Sequence, residues 1–523
     1  MRLWSGDPTL WKGDPDKTAS RLGWLRTYDA MVPSVPILRA FRDELRRDGL
    51  RTATVLGMGG ASLIAETLGR SFCGAPDSLR VDVFDSTHPQ AVRAYTDCLE
   101  PASALFVVSS KSGTTVETLA LFRYFHDVVV RALGPGEAGA HFVAVTDPGT
   151  PLAALAEKHQ FRHVFLNDPT LGGRYAALSF VGLLPASLLG VDLDSFLQQA
   201  RRMAERCEPT VRMNGNPGVW LGGLLGGFAL EGRDKLTFVL SPTITGLGPW
   251  LEQLIAESTG KDEKGILPIV GESLGFPRDY CSDRVFVHIR MRGDPSADDK
   301  LAAFADAGHP VLRIDVGDLN ELAGQLFLWQ FATAVAGHIL DVNPFDQPDV
   351  ELSKERARNA VMAWRTGRSL SDDTQVTEAA LASALAKAKP GGYVALQAYL
   401  SPDRETSESL GALRDALRDR MTLPTTVGYA PRFLHSTGQL HKGDAGRGLF
   451  IQLIGTHGED IPIPGSEELG APGLTFGVLL RALAVGDAQA LVENGRSVET
   501  FDLGPDPAAE LRQVAAALRS REA

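Results

Sequence analysis

Two loops in this chain carry the residue types needed to hold an anion. After the apolar run Thr52 to Leu56 comes Gly57-Met58-Gly59-Gly60-Ala61-Ser62, and after Ala104 to Val108 comes Ser109-Ser110-Lys111-Ser112-Gly113-Thr114-Thr115. In both, a strand gives way to a helix. Glycines allow close backbone approach, and the unpaired N–H groups of a helix start point at a negative charge. The second loop adds a run of small hydroxyls. With the loop amides they form a cup suited to a phosphate monoester, and the lysine pattern of a nucleotide P-loop is missing. A small phosphorylated ligand is implied. Taken one at a time, the same features also serve plain packing and helix capping, and neither loop alone decides between the two uses.

The elements that must position these loops follow the rhythm of parallel α/β folds, in which short β-branched and apolar runs alternate with longer helical patterns. Strands are expected at Thr52 to Leu56, Arg80 to Phe84, Ala104 to Val108 and Phe142 to Thr146, with helices such as Ser62 to Leu68 and Thr115 to Leu133 between them. After a polar break around Asn214 to Pro217, a second set of strands follows at Lys235 to Leu240, Arg284 to Met291 and Pro310 to Val316, with helices including Pro249 to Ser258 and Leu319 to Leu340. The charged stretch Glu351 to Asp373 reads as a helix leading into a linker. A smaller C-terminal α/β segment has strands at Tyr393 to Ala398, Thr425 to Gly428 and Gly448 to Leu453, and a surface helix at Ala508 to Leu518. Three domains are expected: 1–195, 196–372 and 373–523. In open parallel sheets, ligands sit beyond the carboxyl ends of the strands, where both glycine and hydroxyl loops fall.

Composition removes several classes of function. The chain of 523 residues carries 52 Lys and Arg against 64 Asp and Glu, a net charge of −12. No basic run stands out that could neutralise successive phosphates, so no nucleic-acid partner is expected. The apolar stretches Leu178 to Val191 and Val219 to Leu230 are broken by Gly, Pro or Ser and fall short of a bilayer span, so no membrane partner is expected either. The N-terminus lacks an apolar signal core, which makes the cytoplasm the expected compartment. Cys73, Cys98, Cys207 and Cys281 lie far apart without a CxxC pair. They read as reduced structural thiols, and no metal site is expected.

Four further segments stand in order with the Ser110 loop: Asn167-Asp168-Pro169-Thr170-Leu171-Gly172-Gly173-Arg174-Tyr175, then Gln253-Leu254-Ile255-Ala256-Glu257-Ser258-Thr259-Gly260-Lys261, then Asn343-Pro344-Phe345-Asp346-Gln347-Pro348 and its continuation Asp349-Val350-Glu351-Leu352-Ser353-Lys354. Together, over roughly residues 40 to 360, they resemble the glucose-6-phosphate isomerase family. The opening Arg2-Leu3-Trp4 to Asp7-Pro8-Thr9-Leu10-Trp11 and the late Pro431-Arg432-Phe433-Leu434-His435-Ser436-Thr437-Gly438-Gln439-Leu440-His441-Lys442-Gly443 look most like the isomerase half of bifunctional transaldolase/glucose-6-phosphate isomerase proteins. The resemblance implies two doubly wound sugar isomerase (SIS) domains with parallel sheets that interconvert glucose 6-phosphate and fructose 6-phosphate without cofactor or metal. It also implies a homodimer, and leaves room for a covalent link to a transaldolase half in a longer natural chain.

Carried over position by position, the resemblance gives Ser110, Ser112, Thr114 and Thr115 the phosphate, with Gly60, Ser62 and Lys111 nearby. Glu257 becomes the catalytic base, Arg174 faces the developing enediolate, Gln253 contacts substrate and Lys354 lies near the ring oxygen. The chemistry fits these types. Aldose–ketose isomerisation needs a base reaching two adjacent carbons, and one sheltered carboxylate serves both. Gln253 at i−4 shares the helix face of Glu257. A guanidinium stays protonated and presents several donors to an oxyanion.

Two positions depart from the family. Ala61 stands where a serine is usual, so weaker phosphate binding is expected. The family usually carries a ring-opening histidine downstream of its glutamate, and Gly271 to Asp283 contains none. His288 and His309 sit in strand patterns and read as structural. His435 and His441, in a polar loop, are the better candidates because an unperturbed imidazole titrates near neutrality; the third segment is expected to fold over the site and lend one of them. Two other readings accompany the isomerase: a sugar-phosphate-binding SIS regulator without chemistry, which would have no use for Glu257, and an isomerase that also accepts mannose 6-phosphate.

Overall fold

The computed structural model describes residues 2–72, 78–370, 374–456 and 458–520. Cys73 and the expected boundary between 372 and 373 lie outside the described residues. Cys98, Cys207 and Cys281 are free thiols.

Three parallel sheets organise the chain. The first contains β1 (Thr52–Gly57), β2 (Arg80–Phe84), β3 (Ala104–Ser109), β4 (Phe142–Thr146) and β5 (His163–Leu166), in the spatial order β2-β1-β3-β4-β5. The second contains β6 (Lys235–Leu240), β7 (Leu267–Ile269), β8 (Arg284–Met291) and β9 (Val311–Val316), in the order β7-β6-β8-β9. The third contains β10 (Thr374–Gln375), β11 (Tyr393–Tyr399), β12 (Thr425–Tyr429), β13 (Gly448–Ile454) and β14 (Ser497–Asp502), in the order β10-β14-β13-β11-β12. The central strands β1, β3 and β13 are near-continuous runs of buried residues, as parallel strands covered by helices on both faces must be. The C-terminal segment is therefore a full sheet with one strand more than the second.

In the first sheet the strand order reverses between β1 and β3, which pair in parallel from Thr52 opposite Ala104 to Gly57 opposite Ser109. The glycine loop and the hydroxyl loop leave these two strands, so both open into the crevice at the topological switch point.

The first two sheets share one hydrophobic core. The helix Leu322–Ile339 is apolar around nearly its whole circumference and is buried accordingly. The N-terminal extension packs on it: the Trp24 ring lies tilted against Tyr175 and Phe327, and Trp11 donates its indole N–H to the Ala334 carbonyl at 3.0 Å. The third sheet has its own core, and it also reaches both others. Ile461, Ile463 and Phe476 join the core around Phe122 and Phe125 of the first unit, while Tyr393, Leu440 and Phe450 pack with Ala256 and Ile269 of the second. Among the described residues no helix is long and apolar enough to cross a membrane.

Candidate active site

Glu257 lies on the helix Leu247–Thr259 and is 7% exposed. Its Oε1 accepts from Arg174 Nη1 at 2.9 Å and its Oε2 from Gln253 Nε2 at 3.0 Å. Both carboxylate oxygens are thus oriented before any ligand arrives. The i−4 spacing of Gln253 does what the sequence predicts and places its amide beside the carboxylate.

Arg174 sits in a turn at Gly173–Tyr175 that follows β5, and is 4% exposed. Its donors are fully committed: Nε to Ser258 Oγ at 2.9 Å, Nη2 to the Pro344 and Asp346 carbonyls at 2.6 and 2.9 Å, and Nη1 to Glu257 and, at 3.4 Å, to Gln347 Oε1. The guanidinium is a hub joining the Gly172-Gly173 turn, the Glu257 helix and the Asn343–Gln347 turn. Lys261 holds that last turn from below, donating to the Asn343 and Asp346 carbonyls at 2.7 and 2.6 Å. Burial, with the nearby Arg174 charge, brings the Lys261 ammonium down to about 8 against the pull of Asp346.

The glycine loop closes over the same group. Gly59 adopts φ +60°, and a Cβ there would lie 2.7 Å from Gln253 Nε2 and 2.8 Å from the His435 carbonyl. A Cβ on Gly60 would lie 2.3 Å from the Gly173 carbonyl. Only glycine permits these approaches.

His435, from the third segment, completes the arrangement. Its carbonyl accepts from Gln253 Nε2 at 2.9 Å, and its ring Nε2 lies 2.9 Å from Glu117 Oε1. Burial acts to raise the Glu117 carboxyl, but the His435 imidazole and, more weakly, the Lys354 ammonium outweigh it and hold the group below the ordinary carboxylate range. Glu117 stands in the first turn of the helix Val116–Leu133, immediately after the hydroxyl loop. Hydrogen bonds therefore tie that loop's helix, through Glu117, to the His435 ring, and tie the His435 carbonyl, through Gln253 and Glu257, to Arg174. The helix Gly438–Gly443 follows and is seated on the end of the Glu257 helix, where Gln439 donates to the Gly260 carbonyl at 2.9 Å.

In the hydroxyl loop, Ser110 Oγ accepts from Gly113 N at 3.2 Å and lies 3.1 Å from Thr115 Oγ1, while Ser112 and Thr114 pair their hydroxyls at 2.9 Å and are exposed. Thr115 makes no side-chain cap to the helix it begins, nor does Gly59 to its helix Gly60–Ser71. Two helix N-termini are thus free of side-chain caps at the switch point, where an anion would find them.

The remaining sequence candidates are placed differently. Ser62 is fully buried and donates to the Gly59 carbonyl at 3.1 Å, because it opens a helix whose first turn faces the core; its hydroxyl braces the turn. The Lys111 ammonium is taken by Asp147 and by the Pro169 carbonyl. Lys354 pairs with Glu351 at 2.7 Å on an exposed helix face, within electrostatic reach of Glu117. His441 is not brought to the group. It is buried among Tyr393, Phe433 and Phe450, where loss of water, with the neighbouring Lys442 charge, pushes its imidazole well below the ordinary value. Glu117 is not legible as a site residue from sequence alone. Its one signal is an acidic residue two positions after a cup for an anion, which reads equally well as a routine complement to the helix dipole. Among the described residues no group of three His, Cys, Asp or Glu side chains is placed to hold a metal.

The sequence pattern of the family described as phosphoglucose isomerase matches residues 48–266. The glucose-6-phosphate isomerase of Rubrobacter xylanophilus is 30% identical over 368 residues, covering 60% of this chain and 83% of the relative. A probable glucose-6-phosphate isomerase of Haloarcula marismortui is 29% identical over 366 residues, covering 62% and 80%. Among solved structures, a hypothetical protein from Thermus thermophilus superimposes with a TM-score of 0.60 at 25% identity, covering 68% of this chain and 94% of that one. A glucose-6-phosphate isomerase from Chlamydia trachomatis shares the fold, with a TM-score of 0.55 at 21% identity over 69% and 78% of the two chains. With its parallel sheets, its switch-point loops and these relatives, this chain belongs to the phosphoglucose isomerase family.

Proposed function

We propose that this chain interconverts glucose 6-phosphate and fructose 6-phosphate by moving a proton between C2 and C1 through an enediolate, with Glu257 as the base. The observation that carries the reading is the buried Glu257 carboxylate, fixed through both oxygens by Arg174 and Gln253. A binding module without chemistry has no use for such a carboxylate.

In this mechanism the phosphate sits on the Ser110–Thr115 loop, where Ser112 and Thr114 turn their mutual hydrogen bond toward it and the uncapped helix N-terminus adds its N–H groups. His435, held by Glu117, gives its proton to the ring oxygen as the bond from that oxygen to C1 breaks and the C1 hydroxyl releases its proton to solvent, which opens the sugar to the aldehyde. Gln253 Oε1, buried without a hydrogen-bond partner, is an acceptor available to a sugar hydroxyl. Glu257 then takes the C2 proton and returns it to C1, while the proton of the C2 hydroxyl passes to the C1 oxygen, which leaves the ketone at C2. Arg174 differs from the sequence expectation in one respect: with all its donors engaged, it acts on the enediolate through its fixed charge and through Nη1, whose 3.4 Å contact to Gln347 is the longest and the first to be released. The reading carries with it the homodimer that the resemblance implies, and sedimentation of the purified chain is the check.

The test is Glu257→Gln. Conversion of glucose 6-phosphate should be abolished while fructose 6-phosphate still binds in calorimetry, because the amide keeps the shape and loses the base. Retention of turnover, or loss of binding together with turnover, would refute it.

A further inference from the structure

The three-residue spacing between Arg432 and His435 joins the ring-opening histidine to a charged clamp that the mechanism above does not use. Arg432 begins the 3-10 turn Arg432–His435. Its Nε and Nη2 donate to the two oxygens of Asp85 at 2.8 and 3.0 Å, and its Nη1 donates to Glu66 Oε2 at 2.6 Å. Asp85 ends the strand-to-loop passage after β2, and Glu66 stands on the helix that opens at Gly60. Both carboxylates are nearly buried, each with 9% of its side chain exposed. A bidentate guanidinium between two sheltered carboxylates fixes direction as well as charge, which a lysine cannot reproduce.

The turn faces three ways. Arg432 reaches the first sheet. Phe433 packs into the third, with its ring 5.8 Å from Tyr399 and its Cβ where a side chain on Gly428 would fall. His435 enters the site. Besides His435 itself, Arg432 is the residue of this short turn whose side chain is bonded to the unit carrying the phosphate loops, so the clamp sets how the third segment presents His435 to Glu117 and Gln253.

We propose that Arg432 is a positioning residue for ring opening, acting through His435 by clamping its turn to Asp85 and Glu66. The inference rests on the reading of His435 as the group that opens the sugar. Misplacing a reacting group by an ångström costs as much as about 10²-fold in rate. Arg432→Lys, which keeps the charge and loses the fork, should therefore lower kcat for glucose 6-phosphate by roughly 10- to 100-fold with little change in KM, and Asp85→Asn should do the same.

The decisive comparison is made in a His435→Ala background. There Arg432→Lys should add no further loss, because the residue it positions is gone. If it lowers kcat as much in that background as in the wild type, or if it leaves wild-type kcat unchanged while His435→Ala lowers it, the positioning role is overturned and the reading of His435 stands. If His435→Ala leaves kcat unchanged, the underlying reading fails and the inference fails with it. Should Arg432→Lys unfold at the assay temperature, Asp85→Asn alone and combined with His435→Ala gives the same comparison from the other side of the clamp.

Discussion

The Glu117 carboxylate offers the sharpest way to separate a working histidine from a structural one. Glu117→Gln keeps the length and shape of the side chain and its place in the first helical turn, while removing the charge that faces His435 Nε2 at 2.9 Å. A hydrogen bond to a charged group contributes roughly 1.5–3 kcal/mol. Each 1.36 kcal/mol in a barrier is about tenfold in rate, so the charge lost from the donor's partner predicts a fall in kcat of about 10- to 100-fold. In the proposed mechanism Glu117 acts through His435, so KM should stay within about threefold. The assay follows fructose 6-phosphate formation from glucose 6-phosphate under initial-rate conditions, with thermal unfolding measured alongside. A variant that folds normally and turns over within about twofold of wild type, or one whose loss lies wholly in KM, would refute the coupling of Glu117 to ring opening.

Two further outcomes follow from the packing and the charges. Gly59→Ala places a Cβ 2.7 Å from Gln253 Nε2 and 2.8 Å from the His435 carbonyl, at a backbone conformation of φ +60° and ψ −133°. It should cost roughly 1–3 kcal/mol in chemical denaturation and depress kcat by more than the stability loss explains; a fully active variant would contradict the close convergence of loop, amide and histidine. Glu252, beside Gln253 and within electrostatic reach of Arg432, has its carboxyl raised by burial from 4.5 to about 8, the Arg432 charge opposing. The folded chain binds this proton more tightly than the unfolded chain, so its stabilising effect is complete below the unfolded value and is lost as pH rises toward the folded one. Between roughly pH 6 and 8 the loss is about 2–3 kcal/mol. Glu252→Gln should flatten that slope in denaturant titrations, and an unchanged slope would refute the assignment.

The parts of the fold that sequence reveals are those where burial and periodicity agree. The strands β1 to β4, β6, β8 and β9 are compact apolar runs bounded by loops, and they fall where the sequence puts them to within a residue. The strands that escape are edge or near-edge pieces whose residues are too few or too polar to form a pattern. β5 exposes His163 and Leu166, β7 is the three residues Leu-Pro-Ile, and β14 reads Ser-Val-Glu-Thr-Phe-Asp. The site divides in the same way. Gln253 and Glu257 are legible because helical spacing alone brings them to one face. His435 and His441 share one polar stretch, and only the packing of the third sheet turns one toward Glu117 and buries the other against Phe450. Arg174 is legible as a cation and not as a saturated hub, because its partners lie more than 80 residues away in sequence, at Glu257 and Ser258, and further still at Pro344 and Asp346.

The central claim is that one carboxylate carries a proton between two carbons of a bound sugar phosphate. The direct measurement is deuterium incorporation at C2 of glucose 6-phosphate incubated with purified protein in heavy water, followed by proton NMR. Incorporation at C2, matched by label at C1 of fructose 6-phosphate and lost in Glu257→Gln, is the predicted result. Sugar phosphate that binds and returns without deuterium, or a Glu257→Gln variant that exchanges as fast as wild type, would contradict it.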